Sequence, residues 1–400
     1  RWKARRRLST LLPEGASLRR LNSDKSSIKH QFEIVREGNA MKAAVLREVG
    51  KPLQIEDVKI SKPGPREVLI RTAAAGVCHS DLHFIEGKYP HPMPAVLGHE
   101  SAGVVEAVGS EVRSVKPGDH VITCLSAFCG HCDHCVTGHM ARCVSPETKR
   151  RDDDEPRLQA ANGPMLQYLN LSSFAEQMLI HENACVSIRK DMPLDRAALI
   201  GCGVMTGVGA VIHTSNVRPG DTVAVIGCGG VGLAAVNGAA LAGAGRIIAI
   251  DMAPGKENLA KSMGATDFVL GGPDAVKTVL EMTRGGVQHS FEAIGLAATA
   301  EQAFNMLARG GTANVIGMIP VGQTISLMGA AFLGEKRIQG SLMGSNRFPV
   351  DMPRLVDAYM AGKLHLDDMI SRRIRLDQVN EAFEEMKTGA VARSVIVFDA

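Results

Sequence analysis

The sequence predicts an α/β protein in which a β-rich region is joined to a doubly wound parallel sheet, and three observations carry that prediction. From Thr222 onward, unalternating apolar runs of strand length are separated by helix-length segments, as in strands buried on both faces. Before that, from Met41 to about Asn170, short β-like runs are broken by Gly and Pro. Finally, 400 residues exceed what one hydrophobic core usually supports, so two domains are expected.

The first forty residues differ from the rest. Arg1–Arg20 holds Lys3 and six arginines against one acid, Glu14, without an apolar core segment. Two readings stay open, a targeting presequence or an upstream extension, and Met41 opens a strand-like pattern that makes a natural start. Strand-like runs follow at Glu67–Thr72, Ala102–Val108 and His120–Thr123, with turns at Lys62-Pro-Gly-Pro and Lys116-Pro-Gly-Asp. The charge run Arg150–Glu155 reads as a solvated loop. After Arg218-Pro-Gly-Asp the alternation begins: a strand at Thr222–Ile226, a helix at Val231–Leu241, a strand at Arg246–Ile250 ending at Asp251. Further segments alternate through a strand at Thr312–Ile316, and two helices, Asp351–Met360 and Leu376–Met386, and a closing strand, Ser394–Phe398, complete the chain. Strand–helix alternation of this kind implies a parallel sheet with right-handed crossovers.

A net charge of +3 carries no sign of a nucleic-acid or membrane partner, and no unbroken run of about 18 apolar residues predicts a membrane span. Nine cysteines are present, five of them within Cys124–Cys143. With no secretion signal, that clustering favours metal ligation over disulfides, and a reducing, cytoplasmic setting.

Gly227-Cys-Gly-Gly-Val-Gly232 fits G-x-G-x-x-G, and it lies where the motif has meaning, between a buried strand and a helix. Gly227, Gly229, Gly230, Val231 and Gly232 would present backbone N–H groups to a pyrophosphate at the helix N-terminus. Asp251 ends the next strand, where a carboxylate accepts hydrogen bonds from an adenosine ribose and repels a 2′-phosphate. No basic residue stands at Met252 or Ala253, so NAD is expected rather than NADP.

Cys129, Cys132, Cys135 and Cys143 form C-x2-C-x2-C-x7-C, enough thiolates to close a tetrahedral shell around one Zn²⁺. A closed sulfur shell leaves no room for substrate, so this zinc is read as structural, stapling a lobe over residues 124–143. The neighbouring His131, His134 and His139 are read as solvent-facing, and Cys124, Cys185 and Cys228 as buried fillers.

Gly76-Val-Cys-His-Ser-Asp-Leu-His83, Gly98-His-Glu100 and Gly201-Cys-Gly-Val-Met-Thr206 resemble three signature segments of the zinc-containing alcohol dehydrogenases, in the medium-chain dehydrogenase/reductase superfamily. The cysteine knuckle and the glycine loop fall in the same order, and the resemblance runs from about Met41 to the C-terminus. It implies a GroES-like catalytic domain built from residues 41–203 and 343–400, with a Rossmann coenzyme domain inserted at 204–342. Cys78, His99 and Cys202 would hold a second, catalytic zinc with an open position, with Glu100 just behind it, either balancing charge or binding the metal transiently during ligand exchange. Asp81 would fix the tautomer of His99. Ser80 would contact the substrate oxygen and pass its proton, through the cofactor ribose, to His83. Thr206 would lie near the nicotinamide, Lys256 by the adenosine ribose, and Arg393 on the pyrophosphate.

The resemblance therefore implies reversible oxidation of a primary or secondary alcohol to an aldehyde or ketone, with hydride passing to NAD. Three departures qualify it. His79 stands where several relatives carry a pyrophosphate-binding arginine, which weakens the expected cofactor grip. Leu125 stands where some relatives place a bulky aromatic residue, leaving room for branched or aryl alcohols. The long stretch between Cys143 and Cys202 resembles dimeric relatives, so a homodimer is expected. Two alternatives remain. One is the S-(hydroxymethyl)glutathione (formaldehyde) dehydrogenase branch, against which stand His83, where that branch has a tyrosine, and the lack of an arginine just after Cys143. The other is a non-catalytic zinc- and nucleotide-binding protein, which should have lost at least one of these residues; none is missing.

Overall fold

The computed structural model describes residues 40–150, 154–161, 163–389 and 391–399. The basic N-terminal stretch lies outside the described residues, so neither reading of it is tested.

Among the described residues the strands form three sheets. A small closed barrel runs through Ala40–Leu46, Gln54–Ile60, Leu158–Ala160, Gly163–Gln167 and Ala95–Val96. A seven-stranded sheet is ordered Cys185–Ile188, His120–Thr123, Ser101–Val108, Glu67–Gly76, Ser394–Val397 and Arg372–Ile374, with Gln177–His181 added onto Glu67–Gly76. The C-terminal strand Ser394–Val397 pairs antiparallel with Glu67–Gly76, so the chain returns at its end to the sheet it left before residue 200. The third sheet is parallel throughout, ordered Asp267–Leu270, Arg246–Asp251, Thr222–Ile226, Val287–Glu292, Leu307–Val315 and Arg337–Gly340.

That order fixes where a ligand goes. The chain starts at Thr222–Ile226, works outward through two strands on one side, then crosses to Val287–Glu292 on the other. The crevice at this reversal, beyond the carboxyl ends of the strands, is the usual ligand position in open α/β sheets. The last four positions of Thr222–Ile226 are buried, as the unalternating sequence predicted.

Two local differences have physical causes. The strand expected at Thr312–Ile316 begins earlier, at Leu307, because a register shift beside Val287 and His289 lets Leu307 pair ahead of Thr312. The helix expected over Leu376–Met386 starts at Val379, after a short turn at Leu376–Gln378.

One long apolar element is not marked by an unbroken apolar run in the sequence. Residues Leu194–Thr214 form a continuous 21-residue helix whose mean hydropathy of 1.6 would suit a membrane, but 83% of that window is buried inside the protein. Arg196 and several glycines interrupt the run in sequence. The apolar surface is spent on the core, against the coenzyme sheet and the strands beneath it. Two stretches of this helix, Ile200–Val204 and Ala210–Thr214, are wound in the wider π form. Such bulges are frequent at functional sites.

Candidate active site and metal centres

Three separate elements bring Cys78, His99 and Cys202 together. Cys78 follows the strand Glu67–Gly76 and caps the N-terminus of the short helix His79–Ile85. His99 lies just ahead of the strand Ser101–Val108, and Cys202 sits in the π turn of the long buried helix. Their ligand atoms lie within 4.8 Å of one another, and all three residues are buried. The π turn packs tightly: a side chain at Gly203 would put a Cβ 2.3 Å from the Arg393 guanidinium.

The donor set fits a zinc ion. His99 Nε2 lies 3.2 Å from Cys202 Sγ, a little closer than the ~3.6 Å spanned by nitrogen and sulfur on a shared tetrahedral zinc. The other ring nitrogen, Nδ1, lies 3.1 Å from Asp81 Oδ1, and the same oxygen accepts the Gly98 N–H at 3.1 Å. Nδ1–H as donor leaves the Nε2 lone pair aimed at the sulfurs, the arrangement a metal-binding imidazole needs. The Cys202 contact favours the Cys78 thiolate despite its burial.

Glu100 lies outside the group of three. Its Oε2 accepts the Gly203 N–H at 2.8 Å, and its Oε1 faces Arg393 Nε at 3.3 Å. Burial pushes this carboxyl up to about 7 against the pull of Arg393. Glu100 and Arg393 thus form a fully buried charge pair behind the cysteines, where an unpartnered charge would be costly.

The second centre is in the loop 129–143. The four sulfurs stand 3.5, 3.7, 3.8 and 3.9 Å apart along the contacts between them. Sulfurs around a tetrahedral zinc at about 2.3 Å stand ~3.8 Å apart, and a disulfide would bring two of them to about 2.05 Å. All nine cysteines are free thiols. Backbone N–H groups of Cys129 and Cys132 point at the sulfurs of Cys143 and Cys129. His131 pairs with Glu147 at 2.7 Å on the surface, and neither it, His134 nor His139 joins the sulfur group. Burial holds Cys124, Cys185 and Cys228 up at about 11, about 12 and about 12, in keeping with inert fillers.

A cavity of about 480 Å³ joins the Cys78–His99–Cys202 cluster to the coenzyme sheet. Gly227, Gly229, Gly230, Val231, Asp251, Lys256, Thr206, His79 and Arg393 all line it, as do Ser80 and His83. Gly232 does not; a Cβ there would lie 1.6 Å from the Gly227 carbonyl oxygen, so it serves close packing of helix on loop. Asp251 accepts the N–H groups of Cys228 and Ala253 at 2.7 and 2.9 Å and pairs with Lys256 Nζ at 3.2 Å. Thr206 is buried with its hydroxyl on Met343 Sδ at 3.4 Å. Ser80 is inside the helix rather than its cap, with its hydroxyl 3.7 Å from Cys78 Sγ. His83 Nδ1 is buried without a partner, and burial lowers the pKa of the ring. Asp81 is fully buried, and its Oδ2 also lacks a partner. Leu125 lines the cavity beside Leu169 and Met318.

Two features went unread in the sequence. Arg150 is tied inward: its guanidinium reaches both oxygens of the buried Glu67, the Ser61 hydroxyl and the Lys62 carbonyl, and Arg157 grips the same carboxylate at 2.7 Å. Part of the presumed solvated run is therefore an anchor. The hint was Glu67, a carboxylate in an otherwise apolar strand. Tyr89 donates its hydroxyl to the Ile319 carbonyl, spanning from the loop after the first helix to the loop that follows the strand Leu307–Val315; no sequence signal marks that contact.

Comparison with known proteins accords with this geometry. Residues 64–190 match the alcohol dehydrogenase GroES-like domain, and residues 230–358 match the zinc-binding dehydrogenase domain. The chain belongs to the zinc-containing alcohol dehydrogenase family of medium-chain dehydrogenases/reductases, and it is an NAD-dependent zinc oxidoreductase. It is 39% identical over 366 residues to an S-(hydroxymethyl)glutathione dehydrogenase of Photobacterium damsela subsp. piscicida, covering 89% of this chain and 99% of that protein. A protein of the same name from Haemophilus influenzae is 40% identical over 365 residues, covering 89% and 96%. Among solved structures, benzyl alcohol dehydrogenase from Acinetobacter calcoaceticus superposes with a TM-score of 0.85 at 33% identity, covering 90% of this chain and all of that one. A zinc-binding alcohol dehydrogenase domain protein from Burkholderia ambifaria gives 0.86 at 36% identity, covering 91% and 100%.

Proposed function

We propose that the protein oxidises a primary or secondary alcohol to an aldehyde or ketone, reversibly, with bulky apolar and aryl alcohols among its substrates. The observation that carries this is the meeting of Cys78, His99 and Cys202 in one cavity with the glycine loop and Asp251. When bound, zinc would supply Lewis acidity and NAD the hydride-accepting chemistry. Cys78, His99 and Cys202 would hold the catalytic metal, and Asp81 keeps His99 Nδ1 protonated. Ser80 receives the proton of the substrate hydroxyl, and His83, its ring kept neutral by burial, accepts it on the way to solvent. The Leu125, Leu169 and Met318 wall excludes water and seats an apolar body. Cys129, Cys132, Cys135 and Cys143 would hold the structural zinc. Arg393, Lys256 and Thr206 position the cofactor, His79 lines its entrance, and Glu100 balances charge. The division into 41–203, 204–342 and 343–400, and a homodimeric state, belong to the same reading.

A second reading, S-(hydroxymethyl)glutathione oxidation, is favoured by the names of the curated relatives. The two part in one assay. NADH formation is followed with benzyl alcohol, ethanol, and formaldehyde with and without glutathione. Turnover of benzyl alcohol above ethanol supports the first reading, and formaldehyde turnover strictly dependent on glutathione supports the second. No turnover with any of them refutes both.

A further inference from the structure

The amino ends of the parallel sheet, opposite the coenzyme crevice, carry a separate cluster of reactive side chains. Ser215 follows the long buried helix, Asp221 stands just ahead of the strand Thr222–Ile226, and His289 is in the first half of Val287–Glu292. Ser215 Oγ lies 2.7 Å from His289 Nδ1, and His289 Nε2 lies 3.1 Å from Asp221 Oδ2. Asn314, buried in the neighbouring strand Leu307–Val315, brings its Nδ2 to 2.9 Å from the same Oγ. None of the four lines the cavity around Cys78, His99 and Cys202.

The hydrogen-bond directions are forced. A carboxylate only accepts, and Asp221 Oδ2 also takes the Arg218 N–H at 2.7 Å, so the His289 proton is on Nε2. Nδ1 is then a lone pair, and the Ser215 hydroxyl must donate to it. Asn314 Oδ1 accepts a Gln339 N–H at 2.9 Å, which fixes the amide and turns Nδ2 toward Ser215. Burial lowers the pKa of His289 against the pull of Asp221, in keeping with a neutral ring. Oγ thus gives its proton toward a base and receives a hydrogen bond from an amide, the order of an activated nucleophile. Ser215, His289 and Asp221 are only partly buried, so the cluster reaches the surface.

We propose that Ser215, with His289 as its base and Asp221 positioning the ring, is a second nucleophilic site that takes the acyl group of a small activated ester, independently of the alcohol chemistry. Oγ attacks the acyl carbon while its proton passes to His289 Nδ1. The bond from the acyl carbon to the leaving oxygen breaks, that oxygen takes the proton from His289, and an ester remains on Ser215. Ester plus serine hydroxyl becomes acyl-serine plus alcohol, with no oxidant or reductant. Asn314 Nδ2 is a donor beside the charge that develops on the way. The shallow position suits short acyl groups and aryl leaving groups.

The test treats the NAD-loaded, zinc-replete enzyme with 4-nitrophenyl acetate and, separately, with a fluorophosphonate, which activated serines attack with loss of fluoride. Adducts are mapped by peptide mass spectrometry. Ser215 is expected to carry the acetyl and phosphonyl groups ahead of every other serine, including Ser80 of the alcohol site. His289→Gln should slow labelling at Ser215 by about 100-fold. Ser215→Ala should abolish that adduct while NADH formation from alcohol persists. Asp221→Asn separates positioning from packing: an amide can donate to Nε2, the ring tautomer reverses, and labelling slows, with the nitrogen chemical shifts of His289 reporting the reversal. Melting temperatures check the fold of each variant, and the wild-type labelling needs none of them. No adduct at Ser215 in folded wild-type enzyme, or labelling unchanged in His289→Gln, overturns the proposal and leaves the cluster as a clamp between helix end and sheet. An adduct at Ser215 in an enzyme that turns over no alcohol upholds it and refutes the dehydrogenase reading alone.

Discussion

The two candidate metal centres make an instructive pair, because the same ion would be gripped by opposite strategies. The four cysteines of the lobe lie within 14 positions of one another, on one loop with almost no apolar core of its own. Cys78, His99 and Cys202 span 124 positions and come from a strand end, a pre-strand loop and a π-wound helix inside the main core. In the first centre the metal would organise the chain; in the second the chain, already folded, would organise the metal. On this reading the local centre would contribute stability, and the distributed one could leave a coordination position open for chemistry.

Breaking each centre in turn should show the asymmetry. The largest effect is expected from His99→Ala, which removes a ligand from a preformed site. Alcohol-dependent NADH formation should fall by at least ~10³-fold, since Lewis-acid stabilisation is worth several kcal/mol. Zinc per chain should drop from two to one while circular dichroism and the melting temperature barely move. Cys135→Ala should do the reverse. It should lower the melting temperature by roughly 5–10 °C with loss of the lobe's zinc, leaving the remaining folded enzyme active.

A subtler probe sharpens the comparison inside the distributed centre. Asp81→Asn keeps the shape but loses the negative charge that strengthens the hydrogen bond fixing His99, so zinc affinity should fall by about 10–100-fold, measured by competition with a chelator. The lobe, whose sulfurs are supported by backbone N–H groups, should keep its metal in the same titration.

The smallest effect separates acid loss of metal from acid unfolding of the scaffold. Burial pushes His181 down to about 4, and its Nδ1 accepts the Asn183 N–H at 3.0 Å. A histidine whose folded pKa lies below its unfolded value near 6.5 is neutral in the native state. Its stabilising effect is complete above about pH 6.5 and is lost as the pH falls toward 4, because the unfolded chain binds the proton more readily. His181→Gln should flatten the fall in melting temperature between those limits. An unchanged slope would place the acid sensitivity elsewhere.

How much of this the sequence disclosed follows the same division. The cysteine knuckle and the glycine loop were legible because their residues are local: spacing alone puts four sulfurs around one point, or three glycines at a strand-to-helix turn. The parallel sheet was legible because strands buried on both faces abandon alternation. The distributed centre was legible only by resemblance, since nothing in the neighbourhood of Cys202 marks it as a partner of Cys78. Its surroundings were less legible still. The buried Glu100–Arg393 pair joins residues nearly three hundred positions apart, and the anchoring of Arg150 by Glu67 crosses from a charged run to an early strand. The helix Leu194–Thr214 escaped because periodicity cannot register an element that is apolar on every side.

The account's central claim is that Cys78, His99 and Cys202 share one ion. Anomalous scattering at the zinc edge, from crystals of enzyme shown to be active, tests it most directly. Two peaks per chain are predicted, one among the four lobe sulfurs and one about 2.3 Å from the sulfurs of Cys78 and Cys202 and about 2.0–2.1 Å from His99 Nε2. A single peak in the lobe, with Cys78 and Cys202 unliganded in active enzyme, would contradict it.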